Sequence, residues 1–105
     1  MHQQTLCEAI KDRKNVSVLY DDDYVPRIFS PYIVFTSSRD NVLVAGYQVL
    51  NPAELTESNE WRQLDLGKIR SVTPTENNFT PDVSFDPFSK RYGNRVICHV
   101  KQNIQ

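Results

Sequence analysis

The sequence predicts a mainly β protein, an antiparallel β-barrel or β-sandwich with one short N-terminal helix. The chain has 105 residues, the usual size of a single domain, so residues 1–105 are treated as one domain. Short segments of alternating apolar and polar residues follow one another without helices between them, which favours an antiparallel architecture. Hydrophobic residues make up 39% of the chain and glycine occurs only three times, which is typical of a folded protein.

The helix is predicted over residues 6–13. Thr5 and Glu8 have the spacing of a capping box, in which the two side chains satisfy backbone N–H groups at a helix start. Leu6, Ala9 and Ile10 then repeat at the spacing of one helical face. A helix this short is unstable alone in water, so its apolar face must dock on the strands.

The first two strands are predicted over residues 15–20 and 25–34. Alternation is clear in the first, and the acidic triplet at 21–23 forms the turn after it. The second contains Pro26 and Pro31, which restrict it to an edge or to bulged positions because proline cannot donate to a ladder.

The rest of the chain is divided by the same criteria. Residues 42–47 are dense in apolar side chains and predict a central strand that is buried on both faces. The remaining segments are a polar loop over 51–60, strands over 61–66 and 69–73, an irregular proline-containing stretch over 74–92, and a last strand over 95–101. The total is one helix and six strands.

Charge and hydropathy exclude several classes of protein. Twelve basic and thirteen acidic residues give a formal charge of −1, so any site for an anion must be local. The N-terminus lacks the features of a signal peptide and no apolar run reaches the length of a membrane span. These observations predict a cytoplasmic protein. In that compartment Cys7 and Cys98 are expected to be reduced packing residues.

The order of the segments resembles the WYL-domain family of bacterial ligand-sensing modules. The resemblance covers residues 5–75 and runs through Val16-x-Val18-x-Tyr20, Arg27-x-Phe29-x-Pro31, the strand at 42–47, and Arg62-x-Leu64-x-Leu66. It implies a small SH3-like or Sm-like barrel with a regulatory, ligand-binding role. Where the family has the Trp-Tyr of its name, this chain has Asn41-Val42, and the ligand specificity of the family does not transfer.

Two arginines are the first candidates for a ligand site. Arg62 shares strand parity with Leu64 and Leu66, so it is expected on the inward face, where an unpaired guanidinium is costly. Arg27 alternates with Phe29 in the same manner. Either the two arginines form a bidentate rim site for phosphate or carboxylate, or they pair with acids of the chain, for which Asp65, Glu60 and the 21–23 turn are the candidates.

Aromatic residues provide the second set of candidates. Tyr20 and Tyr32 either stack against a nucleic-acid base or belong to the core. Phe29 and Tyr47 are weaker candidates for the same role. Trp61 has the opposite parity to the leucines and is expected to be partly exposed, either as an interface anchor or as a cap on the barrel edge.

The remaining groups of charged, metal-binding or nucleophilic residues give weaker indications of function. Lys90, Arg91 and Arg95 form the densest basic patch, which is either a solvated face or a nucleic-acid surface. Cys98 and His99 are adjacent and point to opposite faces of a strand, so no zinc spacing exists, and no cofactor is expected. No nucleophile and base are placed together by the pattern, so we do not expect an enzyme.

Two functions remain at the level of the sequence. The first is a non-catalytic sensor that binds a nucleotide or single-stranded nucleic acid through Arg27 and Arg62. The second is a protein adaptor or homo-oligomerisation barrel in which both arginines are structural.

Overall fold

The computed structural model describes residues 2–51 and 56–101 and is mainly β, with one helix. The elements, in chain order, are α1 His2–Asp12, β1 Lys14–Tyr20, β2 Arg27–Thr36, β3 Val42–Asn51, β4 Thr56–Asp65, β5 Ile69–Asn78 and β6 Val96–His99. Two 3-10 turns, Leu66–Lys68 and Lys90–Tyr92, connect β4 to β5 and precede β6. The predicted set of one helix and six strands is confirmed over the described ranges.

All the strand pairings are antiparallel and belong to one sheet with the order β4-β3-β2-β1-β5. The sixth strand pairs with the second half of β2, which β1 leaves free. A single antiparallel sheet with one short helix is consistent with the small barrel-like fold that was predicted. Over the described residues no helix is long and apolar enough to cross a bilayer.

The second strand lies in the middle of the sheet, between β1 and β3. The bulge expected of a strand that contains proline occurs at Pro31, where the register with β3 shifts before Ile33. The alternative that this strand forms an edge was wrong. Gly46 lies opposite Pro31, and a Cβ atom at Gly46 would come within 2.0 Å of the Ser30 carbonyl oxygen. Only glycine therefore allows β3 to approach β2 this closely.

The curved sheet buries apolar side chains on both of its faces. One face and α1 enclose the larger cluster, whose buried members include Leu6, Ile10, Phe29, Val34, Val44 and Leu64. The other face carries Ile33, Phe35 and Ala45, which Tyr92 covers from the segment before β6. The prediction that β3 is central and buried on both faces is confirmed.

A disulfide joins the two ends of the fold. Cys7 on α1 and Cys98 on β6 are bonded across 91 residues, with their Cα atoms 5.9 Å apart. The expectation that both cysteines are reduced was wrong, because it followed from the predicted compartment. Folding places β6 against α1, a pairing that sequence spacing does not reveal.

Strand boundaries differ most around the prolines and the polar loop. The predicted loop over 51–60 lies partly outside the described residues, but 56–60 already belong to β4. The fifth strand runs through Pro74 to Asn78 instead of ending near residue 73. Pro74 pairs with Val16 at the end of the strand order, where the missing N–H leaves no ladder partner unsatisfied. The irregular segment therefore begins at Phe79.

Candidate functional site

Arg27 lies in a nearly buried polar network at the start of β2. Its Nε and Nη2 atoms each donate a hydrogen bond of 2.9 Å to Asp23, and Nη1 donates one of 2.9 Å to Gln48. The guanidinium carbon lies 5.3 Å from the centre of the Tyr20 ring. All three nitrogens are therefore occupied by partners within the chain, which confirms that Arg27 pairs with the acidic turn.

Electrostatics hold this network in its charged form. Burial alone would raise the pKa of Asp23, but the hydrogen bond and charge of Arg27, the Tyr20 N–H and the charge of Arg70 lower it overall. Arg70 also donates to the backbone oxygen of Asp23. Gln48 is fully buried and its Nε2 has no hydrogen-bond partner among the described residues.

Arg62 has a different environment from the predicted one. Its side chain is 43% exposed and forms an ion pair with exposed Glu60, whereas Leu64 is only 3% exposed. The pairing with Glu60 was one of the predicted alternatives and is confirmed. The expected inward position beside Leu64 was wrong, because parity fixes only the face of a strand and not the depth of burial. The apolar cluster on that face reaches Leu64, and Arg62 lies beyond it on β4, the last strand of the order.

The two arginines lie in separate places on the sheet. Arg62 pairs with Gly46, which pairs with Pro31, four residues along β2 from Arg27. At about 3.3 Å per residue this is a separation of about 13 Å along the strand, with β3 between β2 and β4. The geometry does not favour a single bidentate site made by both.

Tyr20 and Tyr32 both have structural contacts. The Tyr20 hydroxyl accepts the Asp65 N–H at 3.0 Å, and its ring lies against Arg27. Tyr32 is 3% exposed and its hydroxyl accepts the Asp82 N–H at 2.8 Å. Burial raises the pKa of Tyr32. These contacts favour the core alternative over base stacking for both residues.

Trp61 is half-buried in a cluster of rings centred on Tyr32. Its indole lies 5.4 Å from Tyr32, 5.0 Å from Tyr47 and 5.8 Å from Phe85, measured between ring centres. The indole N–H is buried and has no hydrogen-bond partner among the described residues. Trp61 thus covers the barrel edge, as one of the two predictions for it stated.

A cavity of about 350 Å³ lies between this ring cluster and the segment before β6. It is lined by Tyr47, Trp61, Asp82, Ser84, Phe85, Asp86, Ser89, Arg91 and Tyr92. Sequence reasoning missed this site, because most of its residues lie in the irregular stretch that was expected only to wrap the domain. The recurring aromatic and acidic residues of that stretch were the available signal.

A second cavity, of about 450 Å³, lies on the other side of Tyr92. Its walls are Phe35, Thr36, Ser37, Ser38, Leu43, Gln63, Lys90, Arg91, Tyr92, Gly93 and Arg95. The basic patch predicted at Lys90, Arg91 and Arg95 therefore lines a concave surface, and the described walls include no carboxylate. Arg95 forms an ion pair of 2.6 Å with Asp40, and both side chains are exposed.

Within the described parts of the chain, no three His, Cys, Asp or Glu side chains are grouped to hold a metal ion. Comparison with protein-family models, with curated proteins and with solved structures finds no match to this chain. The two cavities and the charges that line them are therefore the features that bear on function.

Proposed function

We propose that this protein is a non-catalytic, regulatory ligand-binding domain that holds an anionic ligand, a nucleotide or short single-stranded nucleic acid, in the cavity lined by Lys90, Arg91 and Arg95. One observation supports this most directly. Three cationic side chains line one concave surface whose described walls carry no acid, in a chain whose formal charge is −1. Such local concentration of one charge raises the local concentration of an oppositely charged ligand.

Two of the three cations form no direct ion pair. Asp40 neutralises Arg95, whereas neither Lys90 nor Arg91 forms an ion pair with a carboxylate of the described residues. The guanidinium of Arg91 is suited to two parallel hydrogen bonds with a phosphate or carboxylate, and Lys90 adds a point charge.

Hydroxyl groups add neutral donors to the same surface. Thr36, Ser37 and Ser38 line it, and the Ser37 oxygen accepts the Arg39 and Asn41 N–H groups. These bonds leave the Ser37 proton available to an anion. The aromatic members, Phe35 and Tyr92, are 2% and 3% exposed and offer little area for stacking. Binding is thus expected to be mainly electrostatic and to weaken with salt.

Titration of labelled mononucleotides and oligonucleotides by fluorescence anisotropy at low salt tests the proposal. The double variant Lys90→Ala with Arg91→Ala is expected to weaken binding about tenfold or more. Lys68→Ala removes an exposed cation that does not line this cavity, and this matched control is expected to change little. Absence of binding at low salt would overturn the proposal. If Arg62→Ala weakened binding more than the double variant does, the ligand would instead bind at the rim arginine predicted from the sequence.

A second candidate function, protein adaptor, is favoured by one surface. Phe88 is 84% and Ile97 41% exposed beside β6, which pairs only with β2 over the described ranges. Exposed apolar side chains beside an unpaired strand edge are suited to contact with another chain. The adaptor function predicts assembly in light scattering that Phe88→Ser shifts towards monomer. A monomer at every concentration, with no partner captured, would reject it.

Family membership and location remain predictions. The WYL resemblance supports a regulatory role, and the barrel-like fold is compatible with it. The disulfide argues against the predicted cytoplasmic location, since disulfides persist mainly in oxidising compartments. Cell fractionation with an antibody to the protein would distinguish the two.

A further inference from the structure

We propose that the cavity lined by Tyr47, Trp61, Phe85 and Tyr92 binds an organic ammonium cation, such as a trimethylammonium group. This cavity adjoins the anion cavity, with which it shares Arg91 and Tyr92, and takes a ligand of opposite charge. It does not depend on the proposed function.

The four rings contact one another in sequence. Partly buried Tyr47, Trp61 and Phe85 provide most of the aromatic wall, and Tyr92, 3% exposed, adds little ring area. Successive ring centres, from Tyr47 to Trp61, Phe85 and Tyr92, are 5.0, 5.8 and 6.1 Å apart, with interplanar angles of 81°, 37° and 52°. The rings that line the cavity therefore differ in orientation. A cation placed within about 6 Å of several ring faces is attracted by each quadrupole, and tryptophan and tyrosine provide the strongest attraction.

Two carboxylates complete the site. Asp82 accepts hydrogen bonds from the Ser84 N–H at 2.9 Å, the Ser84 hydroxyl at 2.8 Å and the Tyr47 hydroxyl at 3.1 Å. These bonds, with the Ser84 N–H first, lower the pKa of Asp82, so it is ionised at neutral pH. Asp86 uses Oδ1 to accept the Phe88 N–H at 2.9 Å, and Oδ2 has no hydrogen bond to any described residue.

The net charge of the side chains that line the cavity favours a cation, although one of them, Arg91, is itself positive. Asp82 and Asp86 together outweigh Arg91, which leaves the described lining at −1. The volume of this cavity, about 350 Å³, also lies within the range of sites that bind small molecules. Arg91 belongs to both cavities, so its removal has opposite consequences for the two ligands.

The test uses choline and its neutral isostere 3,3-dimethylbutan-1-ol. Trp61 is the sole tryptophan, so its fluorescence reports directly on the cavity. Choline is expected to change the emission saturably and to bind about tenfold or more tightly than the isostere. Equal binding of the two compounds, or no response to choline, would overturn the proposal.

Variants that change the charge of the cavity lining test whether the ligand is recognised as a cation. Asp86→Asn preserves the acceptor for the Phe88 N–H and is expected to weaken choline binding about threefold. Arg91→Gln is expected to strengthen choline binding by a similar factor while weakening nucleotide binding. The matched control is Asp22→Asn, an exposed acid outside the cavity, with no expected effect. Unchanged choline affinity in both Asp86→Asn and Arg91→Gln would overturn the proposal.

One further experiment distinguishes two sources of the ammonium group, a modified protein chain and a free small molecule. A peptide with trimethyllysine that binds more tightly than choline assigns the site to a modified protein chain, and one that binds more weakly assigns it to a free small molecule. Either result supports recognition of the ammonium group, provided that the unmodified lysine peptide binds more weakly than the trimethylated one. Equal binding of the two peptides would count against it.

Discussion

Arg27 donates two parallel hydrogen bonds to Asp23, both of 2.9 Å, across the turn that joins β1 to β2. Only about 14% of either side chain is exposed. The third nitrogen of Arg27 donates to fully buried Gln48. This pair fixes the first turn of the barrel, and three of the five N–H groups of its arginine already bind partners within the chain.

Removing one partner of this pair is expected to be costly. Arg27→Ala leaves Asp23 nearly buried without its counter-charge and should lower the free energy of unfolding by about 3 kcal/mol. Urea denaturation of Arg27→Ala, Asp23→Asn and the double variant measures the coupling, expected at about 1–3 kcal/mol. Arg62→Ala is the control and should cost less than about 1 kcal/mol because its ion pair is exposed. Equal losses for the two arginines would contradict this account.

Acid should destabilise the protein through the same carboxylate. The pKa of Asp23 in the folded state lies below its usual value of 3.8, so ionised Asp23 stabilises the fold at neutral pH. This contribution is complete above the unfolded pKa and is lost as the pH falls below about 4 through the folded value. Thermal unfolding between pH 7 and pH 2 measures it. Asp23→Asn should flatten the acid limb, whereas Asp22→Asn should retain it.

The disulfide is expected to contribute a large part of the free energy of unfolding. A bond that closes a loop of 91 residues restricts the unfolded chain by about 4–5 kcal/mol in the chain-entropy treatment. Cys7→Ala with Cys98→Ala should therefore lower the melting temperature markedly, and dithiothreitol should do the same to the native protein. Mass spectrometry after alkylation establishes the redox state. A native protein whose melting temperature is insensitive to reductant would contradict the prediction.

Gly46 should not tolerate a side chain. A methyl group there would meet the Ser30 carbonyl oxygen at 2.0 Å, and backbone cannot move aside cheaply at the centre of the sheet. Gly46→Ala is expected to cost about 3 kcal/mol or more, measured by denaturant titration. Gly67→Ala is the control, because its Cβ would lie 3.2 Å from a side-chain oxygen of Asp65, which needs to move by only a few tenths of an ångström. Similar stabilities for the two variants would refute this.

The hydroxyl of Tyr32 links β2 to the segment that lines the aromatic cavity. Tyr32→Phe keeps the ring contacts but removes the acceptor of the Asp82 N–H, with an expected cost of about 1 kcal/mol. Hydrogen exchange at the Asp82 amide should become faster. Tyr24→Phe serves as the control, since Tyr24 is fully exposed and should leave both stability and exchange unchanged.

The spacing of apolar residues predicted secondary structure reliably where the same spacing continues through a whole helix or strand. The alternation in β1 and the helical spacing of Leu6, Ala9 and Ile10 predicted elements that the structure contains. The dense apolar run at residues 42–47 likewise indicated the buried centre of β3. Alternation was less reliable on β4, where Arg62 keeps its parity with Leu64 but lies past the end of the apolar cluster.

Partner choice was decided only by the tertiary structure. The sequence offered several acids for Arg27 and Arg62, and folding selected Asp23 and Glu60. It also brought Cys7 to Cys98, although compartment arguments predicted free thiols. Asp23 and Glu60 lie only four and two residues from their arginines, but spacing alone did not select them from the other acids. The cysteines are 91 residues apart on different elements, and no residue spacing predicts their contact.

By itself the sequence determined a mainly β domain with one short helix, since the periods of two and 3.6 residues are properties of single elements. The candidate sites required the three-dimensional fold. Both cavities combine residues from the central strands with Lys90, Arg91 or Tyr92 from an irregular segment, and no local period constrains where such a segment lies. Its position follows from packing of Tyr92 over Phe35 and from the ring contacts of Phe85, which form only when the sheet has curved.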